Sequence, residues 1–337
     1  MADYAAAVVG TGNMGARHGR AYQGRGDCDL VACADLDVER ANEFADDAGL
    51  DGRAVFEDYH EMLADHDPDI VSVATPIPTH AAVVLDCLRS EPTAIHCEKP
   101  MANTWGDCRL IAQEARRRGV QLSFNHQLRC SEPVRRATAL LKDGEIGRLQ
   151  RVEAARSDVF ESGIHQLDLC SHFAGDVPAT WVLGALDYRR EEHRNGVHIE
   201  DASLAQWRYE NGVHGVVATG DGADAIGCHN RLVGADGEIR ITFFDDDPVW
   251  VRSDGGVRTI DCGMDAPLEN ALDHVVESLA AGTEPVLSAH NALVGTELVF
   301  GLWESVRRRG RVDLPLRVDD NPLEAMVETG AIAPDPA

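Results

Sequence analysis

Lysine is nearly missing from this chain. Only Lys99 and Lys142 occur among 31 basic residues, so arginine supplies nearly all of the positive charge. No apolar run approaches the ~18 residues a membrane-spanning helix needs, which argues against a helical membrane protein. No Cys-x-x-Cys pair occurs among the nine cysteines. Several lie in apolar surroundings, so neither a zinc site nor a disulfide framework is expected, and they read as reduced core thiols of a cytosolic protein. Internal repeats and low-complexity segments are lacking. Met1-Ala2-Asp3-Tyr4 carries no basic stretch of a secretion signal and leads straight into a strand.

Positive charge as a whole is scarce: 57 acidic against 31 basic residues leave a formal net charge of -26. Such a field repels nucleic acid and anionic membrane surfaces, so neither is an expected partner. An acidic, lysine-poor composition reads as that of a halophile's cytosol. In strong salt the screening length falls to a few ångströms and the self-repulsion of a carboxylate surface is weakened. The length of 337 residues accommodates two domains, each with its own core.

What is present begins with alternation. Through residue 124, apolar runs alternate with helical patterns, the order a parallel sheet with crossover helices requires. Ala5-Ala6-Ala7-Val8-Val9 runs into Gly10-Thr11-Gly12-Asn13-Met14-Gly15, and a helix follows to Gln23. In that setting Gly10 permits a tight turn, Gly12 lets a pyrophosphate approach the backbone, and Gly15 allows close helix–strand packing. The N-terminus of that helix, whose character runs from Ala16 to Gln23, presents N–H groups to the phosphates, and Asn13 and Met14 of the loop are expected to contact the cofactor. A second strand, Leu30 to Ala34, ends at Asp35, placed to accept hydrogen bonds from a dinucleotide's ribose hydroxyls. An acid there repels a 2′-phosphate, so NAD is expected ahead of NADP. Arg40 reads either as a solvated helix residue or as a group that softens this preference.

The strand Asp69 to Ala74 is apolar on both faces and ends in Thr75-Pro76-Ile77-Pro78-Thr79-His80. Ligands of open parallel sheets sit outside the carboxyl ends of the strands, so Thr75 and Pro76 are expected on the nicotinamide side. His80 opens the next helix and reads equally as a local packing residue or a cofactor contact. The strand Thr93 to Cys97 then delivers Glu98 and Lys99 to the same edge. A lysine retained where arginine has replaced almost every other suggests a chemical task. Its compact ammonium has a pKa that moves on desolvation, which suits steering protons on and off a substrate oxygen. A helix from Thr104 to Arg118 and a strand from Val120 to Phe124 complete an NAD-binding domain, residues 1–124.

Residues 125–337 read as a second, α/β domain. From Leu149 onward, strands separated by Asn211-Gly212, Asp236-Gly237 and Asp254-Gly255 turns predict a large, open-faced, mostly antiparallel sheet with helices on one face. The open face needs a cover, and a second copy of the chain is expected there, in a homodimer or homotetramer. Between the first two of these strands, a helix from about Ile164 sets His165, Asp168 and His172 on one stripe. These groups either face a cleft or pair with one another. Two histidines and an acid could hold zinc, but the spacing matches no metal signature and no metal is expected. Asn270 to Ala281 and Asn291 to Arg309 read as structural amphipathic helices, and Asp319 to Ala337 as a mostly polar tail with Leu323 and Met326 as packing residues.

Taken in order, Gly10 to Gly15, Asp35, Thr75-Pro76, Glu98-Lys99-Pro100 and Gly163-Ile164-His165-Gln166-Leu167-Asp168 resemble the glucose-fructose oxidoreductase, inositol dehydrogenase and rhizopine-catabolism (Gfo/Idh/MocA) family over nearly the whole chain. The resemblance implies an N-terminal Rossmann domain, a C-terminal α/β domain on an open-faced sheet, and NAD(P)-dependent chemistry on sugars, sugar derivatives or inositols. It implies that Glu98 contacts the nicotinamide ribose, that Lys99 binds the reacting oxygen, that the Lys99-Pro100 bond is cis, and that His165 is the catalytic histidine. The family commonly places Asp four residues before that histidine, where this chain has Glu161, and its crossover arginine matches Arg129. Substrate is expected to meet His126, Arg129, Asp168 and His172 together with Lys99 and His165. A histidine with an ordinary pKa of about 6.5 would take the hydroxyl proton as hydride leaves. Two other readings stay open on the same fold: a glycosidase that retains its NAD, and a non-catalytic NAD-binding sensor.

Overall fold

The computed structural model describes residues 3–246, 248–262 and 265–335, so the expectations for the first two and last two residues lie outside the described residues. The chain divides into two compact units. The first comprises Met1–Asn103, Asp107–Gln127 and Leu268–His290; the second comprises Thr104–Gly106, Leu128–Pro267 and Asn291–Ala337.

In the first unit, β1 (Tyr4–Val9), β2 (Cys28–Ala34), β3 (Val55–Phe56), β4 (Ile70–Val73), β5 (Ala94–Cys97) and β6 (Gln121–Phe124) form one parallel sheet in the order β3-β2-β1-β4-β5-β6. The chain first steps from β1 toward β3 and then returns to β4, so the strand order reverses beside β1. At such a point adjacent connections leave in opposite directions and open a crevice at the carboxyl ends. β4 and β5 are buried at every position, as strands covered on both faces must be. The connections carry α1 (Asn13–Gln23), α2 (Val38–Ala48), α3 (Tyr59–His66), α4 (His80–Arg89) and α5 (Trp105–Arg118). Asp37 caps α2 by accepting from the Arg40 amide, and Gly49 ends it at φ +67°.

The first unit also takes in a late stretch that a boundary at residue 124 does not foresee. Leu268, Leu272 and Val276 recur every four residues, forming one helical stripe, and pack with Ala6, Tyr22, Ile70 and Ala94. They belong to a helix, Pro267–Ala281, that packs with α1 against this sheet.

The second unit is built on nine strands. In chain order these are β7 (Leu149–Arg156), β8 (Ala179–Asp187), β11 (Ala202–Tyr209), β12 (His214–Thr219), β13 (Asn230–Gly234), β14 (Glu238–Ile241), β15 (Val249–Ser253), β16 (Gly256–Ile260) and β17 (Val312–Asp313). Between β8 and β11 lies a separate hairpin of β9 (Glu192–Arg194) and β10 (Val197–Ile199). The sheet runs β16-β15-β14-β13-β7-β12-β11-β8-β17 and is antiparallel except where β7 meets β12. β11 alternates cleanly: Ser203, Ala205, Trp207 and Tyr209 are buried, whereas Leu204, Gln206 and Arg208 are exposed. One face therefore packs a core and the other does not. The helices here are α6 (Glu132–Lys142) and α7 (Ile164–Phe173), and a later helix, Ala289–Arg308, contributes Phe300 and Trp303, whose rings close on Phe160 at centroid separations of 5.8 and 5.2 Å.

A parallel N-terminal sheet and a mostly antiparallel C-terminal one agree with the sequence expectation. The tail buries Leu323 and Met326 as expected, but on a helix that was not anticipated. That helix, Pro322–Glu328, is capped by the Asn321 side chain accepting from the Leu323 and Glu324 amides. The β9–β10 hairpin was not anticipated either.

Candidate active site

In the first unit, the glycine loop after β1 is shaped by contacts that tolerate no side chain. A Cβ on Gly15 would lie 1.8 Å from the Gly10 carbonyl oxygen, and one on Gly10, at φ +89°, would lie 2.6 Å from the Ala74 carbonyl oxygen. Gly12 is different, because a Cβ there would meet nothing within 4 Å. Gly12 is also the N-cap of α1, no side chain caps the helix, and its first turn, which starts at Asn13 and Met14, carries no acid. The amide groups and the positive end of the helix dipole are thus left for an anion, and the residues fit a dinucleotide's pyrophosphate.

Asp35 follows β2 with little exposure. Its Oδ2 accepts from the Thr11 amide at 2.8 Å and the Thr11 hydroxyl at 3.0 Å, which ties the acid to the glycine loop. Oδ1 accepts from the Asp37 amide. Arg40 stands 3.6 Å from Asp35 and 2.9 Å from Asp37, so the arginine singled out in the sequence does lie beside this carboxylate.

Thr75 and Pro76 follow β4, and Glu98 and Lys99 follow β5, all on the edge that carries the glycine loop. Thr75 is half-buried and Pro76 exposed. His80 is buried, with Nδ1 2.8 Å from the Pro100 carbonyl oxygen and Nε2 2.8 Å from that of Thr75. It therefore links the two segments. Lys99 is half-buried and the Lys99-Pro100 peptide is cis.

Glu98 heads a buried polar chain that sequence reasoning missed. Its Oε1 accepts from Asn125 Nδ2 at 2.6 Å and lies 3.0 Å from His18 Nε2, and its Oε2 accepts from the Lys99 amide at 3.2 Å. His18 Nδ1 lies 3.1 Å from Ser72 Oγ, which is 2.8 Å from the Tyr22 hydroxyl. Burial drives the Glu98 carboxyl up, but His18, Asn125 and the Lys99 charge outweigh it and hold the group down at about 2. Burial, with His18 beside it, lowers His96 to about 3, so this imidazole stays neutral. The available signals were a serine within the otherwise apolar Ile70–Val73 and a histidine on the inner side of α1. His126 is also buried in this unit.

In the second unit, the segment leading into α7 is wound around Asp158. The buried Asp158 Oδ1 accepts from the amides of Phe160, Glu161 and Ser162 at 3.1, 2.7 and 3.0 Å, and Oδ2 accepts from Ser162 Oγ at 2.6 Å. Gly163 closes the turn where a Cβ would lie 2.1 Å from the Asp158 carbonyl oxygen. Glu200 supports the same turn, accepting from the Val159 amide at 2.7 Å. Burial and then the Asp158 charge push Glu200 up to about 8. Glu161 is half-buried and accepts from Asn195 Nδ2 at 3.0 Å.

His165 stands half-buried in the first turn of α7. Asp168 is buried against Arg129 in a two-pronged ion pair, Nε to Oδ2 at 2.6 Å and Nη2 to Oδ1 at 2.7 Å. The same guanidinium donates to both oxygens of Asp176 at 3.0 and 2.9 Å. His172 lies 3.2 Å from the Thr138 hydroxyl and 3.8 Å from Asp176. Of the predicted stripe, then, Asp168 and His172 find their partners on neighbouring elements of the unit.

Four similarities to known proteins bear on this arrangement. A family profile described as "Oxidoreductase family, NAD-binding Rossmann fold" matches residues 4–126. An inositol 2-dehydrogenase of Rubrobacter xylanophilus is 39% identical over 36% of this chain and 35% of its own length, and a D-apiose dehydrogenase of Paraburkholderia graminis is 26% identical over 97% of this chain and 94% of its own. The fold is that of an oxidoreductase from Agrobacterium radiobacter crystallised with NAD+, L-tartaric acid and magnesium, at a TM-score of 0.79 and 20% identity over 96% of this chain and all of the other.

Proposed function

We propose, from the premise that this chain belongs to the Gfo/Idh/MocA oxidoreductase family and binds NAD, that it is a dehydrogenase acting on a secondary alcohol of a sugar, sugar derivative or inositol. The observation that carries the reading lies in the first unit. The glycine loop, Thr75 and the Glu98-Lys99 pair leave the carboxyl ends of the neighbouring strands β1, β4 and β5, where open parallel sheets bind their ligands. NAD held there supplies the hydride acceptor. Gly10, Gly12, Asn13, Met14 and Gly15 would hold its pyrophosphate, Asp35 the adenosine ribose, and Thr75, Pro76 and Glu98 the nicotinamide side.

In this reading Lys99 and His165 share the substrate hydroxyl. Lys99 donates to its oxygen and steadies the alkoxide charge that develops, an effect worth ~3–4 kcal/mol in comparable preorganised sites. His165 removes the proton as general base. Glu98, ionised and anchored by His18 and Asn125, holds the backbone of Lys99 in place. The half-buried Glu161, oriented by Asn195, stands four residues before His165 as a further carboxylate for positioning.

The decisive experiment screens sugars, polyols and inositols for NADH formation in high salt and then compares Lys99→Ala and His165→Ala on the best substrate. Loss of Lys99 is expected to lower turnover at least ~100-fold. Parental turnover in Lys99→Ala would reject the assignment. Glycoside cleavage without net NADH would replace it with a glycosidase that recycles its cofactor. Stabilisation by NADH with no turnover on any sugar would replace it with a sensor.

The same reading places the protein in a reducing cytoplasm, consistent with nine free cysteines of which eight are buried. Among the described residues no helix is long and apolar enough to cross a membrane. It also covers the exposed side of β8 and β11, where Leu183 and Leu204 face outward, with a second copy of the chain.

A further inference from the structure

We propose that Glu191, His193 and His198 form a surface site for a divalent transition-metal ion that favours imidazole, such as zinc or nickel. The site starts from a two-residue turn. Asn195 and Gly196, at φ +48° and +85°, join β9 to β10 with both central residues in the left-handed region, the turn that an Asn-Gly pair favours and that matches strand twist. Register then pairs Arg194 with Val197 and sets His193 directly opposite His198. Opposed residues of an antiparallel pair project from one face with Cβ atoms ~4.5–5.5 Å apart, and Glu191, two residues before His193, returns to that face.

The side chains converge accordingly. The two Nε2 atoms are 3.1 Å apart, and ligand atoms of all three residues lie within 4.8 Å of one another. Two nitrogens bound to a tetrahedral zinc at ~2.0–2.1 Å lie ~3.4 Å apart, so the imidazoles need to open by only a few tenths of an ångström. His198 has an orienting partner as well. Its Nδ1 lies 2.8 Å from the hydroxyl of the buried Tyr188. Donation from Nδ1–H to that oxygen leaves the Nε2 lone pair for a metal, the usual arrangement of a ligating histidine.

The electrostatic setting favours a cation. Glu191, Glu324 and Glu328 all place negative charge near His198. Nearby arginines are engaged elsewhere: Arg190 with Asp201, Arg189 with Asp187 and Asp221, Arg194 with Glu192 and Asp158. Two imidazoles and one carboxylate suit zinc, nickel or copper rather than magnesium or calcium, which take oxygen donors. Three ligands leave a fourth position for water or an incoming group.

Isothermal titration of the metal-stripped full-length protein with zinc chloride tests this independently of any dehydrogenase activity. One zinc per chain is expected. His193→Asn and His198→Asn should each weaken it by at least ~100-fold, more than loss of an outer partner, and Tyr188→Phe by about tenfold. Glu191→Gln, at an exposed position of the same shape, removes a ligand without loosening the hairpin and should weaken zinc at least about tenfold. His290→Asn, at an exposed histidine on the helix Ala289–Arg308, away from the hairpin in sequence, should change nothing. No binding by the parent protein, or equal binding by the parent, Glu191→Gln and both histidine variants, overturns the proposal.

Discussion

Glu200 carries the clearest titration at the scale of single residues. Its carboxyl is pushed up to about 8 from 4.5, by burial first and the Asp158 charge second. Between those two values the unfolded chain has released the proton and the native chain retains it. Stability therefore falls as pH rises across that window. Glu200→Gln preserves the shape and the acceptor for the Val159 amide while removing the titration. It is expected to gain on the order of 4 kcal/mol over the parent at pH 7.5 and nothing at pH 4, in denaturant melts at the two pH values. An equal effect at both would mean that Glu200 is already ionised in the native protein. Glu98 has the opposite sign. Held at about 2, it contributes stability above its ordinary range that is lost as pH falls from 4.5 toward 2. The scarcity of lysine drew attention to Lys99 from composition alone. The partners of Glu98 were not legible, because His18 lies 80 positions away in the chain.

Arg129 shows what an element requires to stay in place. Its guanidinium ties α7 to the start of the second unit through Asp168 and reaches Asp176 beyond the helix end. Removing one member of a buried ion pair strands the other in low dielectric, so Arg129→Met is expected to destabilise the protein by ~3–5 kcal/mol, read as a lower denaturant midpoint. A variant that melts with the parent would show the pair to be dispensable. The helical period correctly put His165, Asp168 and His172 on one side of α7, but period alone does not say which of them meets a charge across the core. Turn chemistry was readable at Asn211-Gly212 and equally available at Asn195-Gly196. The signal at the latter is weak because β9 and β10 are three residues each, β9 carrying only ionisable side chains and β10 offering only Val197 and Ile199 as an alternating pair.

For the whole molecule, the governing quantity is the net charge of -26. Self-repulsion of that size opposes compaction in dilute buffer and is screened at molar ionic strength, where the Debye length is ~3 Å. The melting temperature is therefore expected to rise between millimolar and molar potassium chloride, and a flat response would discard the salt-adapted reading. Leu204→Asp should shift the sedimentation of an assembly that uses the exposed side of β8 and β11 toward the monomer; unchanged sedimentation would point to another interface. What the sequence determined by itself was local: the spacing of Gly10, Gly12 and Gly15, the acid after β2, the alternation of strand and helix, and the lone lysine at a strand end. Each follows from steric or chemical rules that act within a few residues. The tertiary structure alone decided that Leu268, Leu272 and Val276 return to the first sheet, that Asp168 closes on Arg129, and that two histidines on a short hairpin face each other. The cost of burying a charge or an apolar face is met by whichever group arrives from elsewhere in the chain, and no local pattern encodes its arrival.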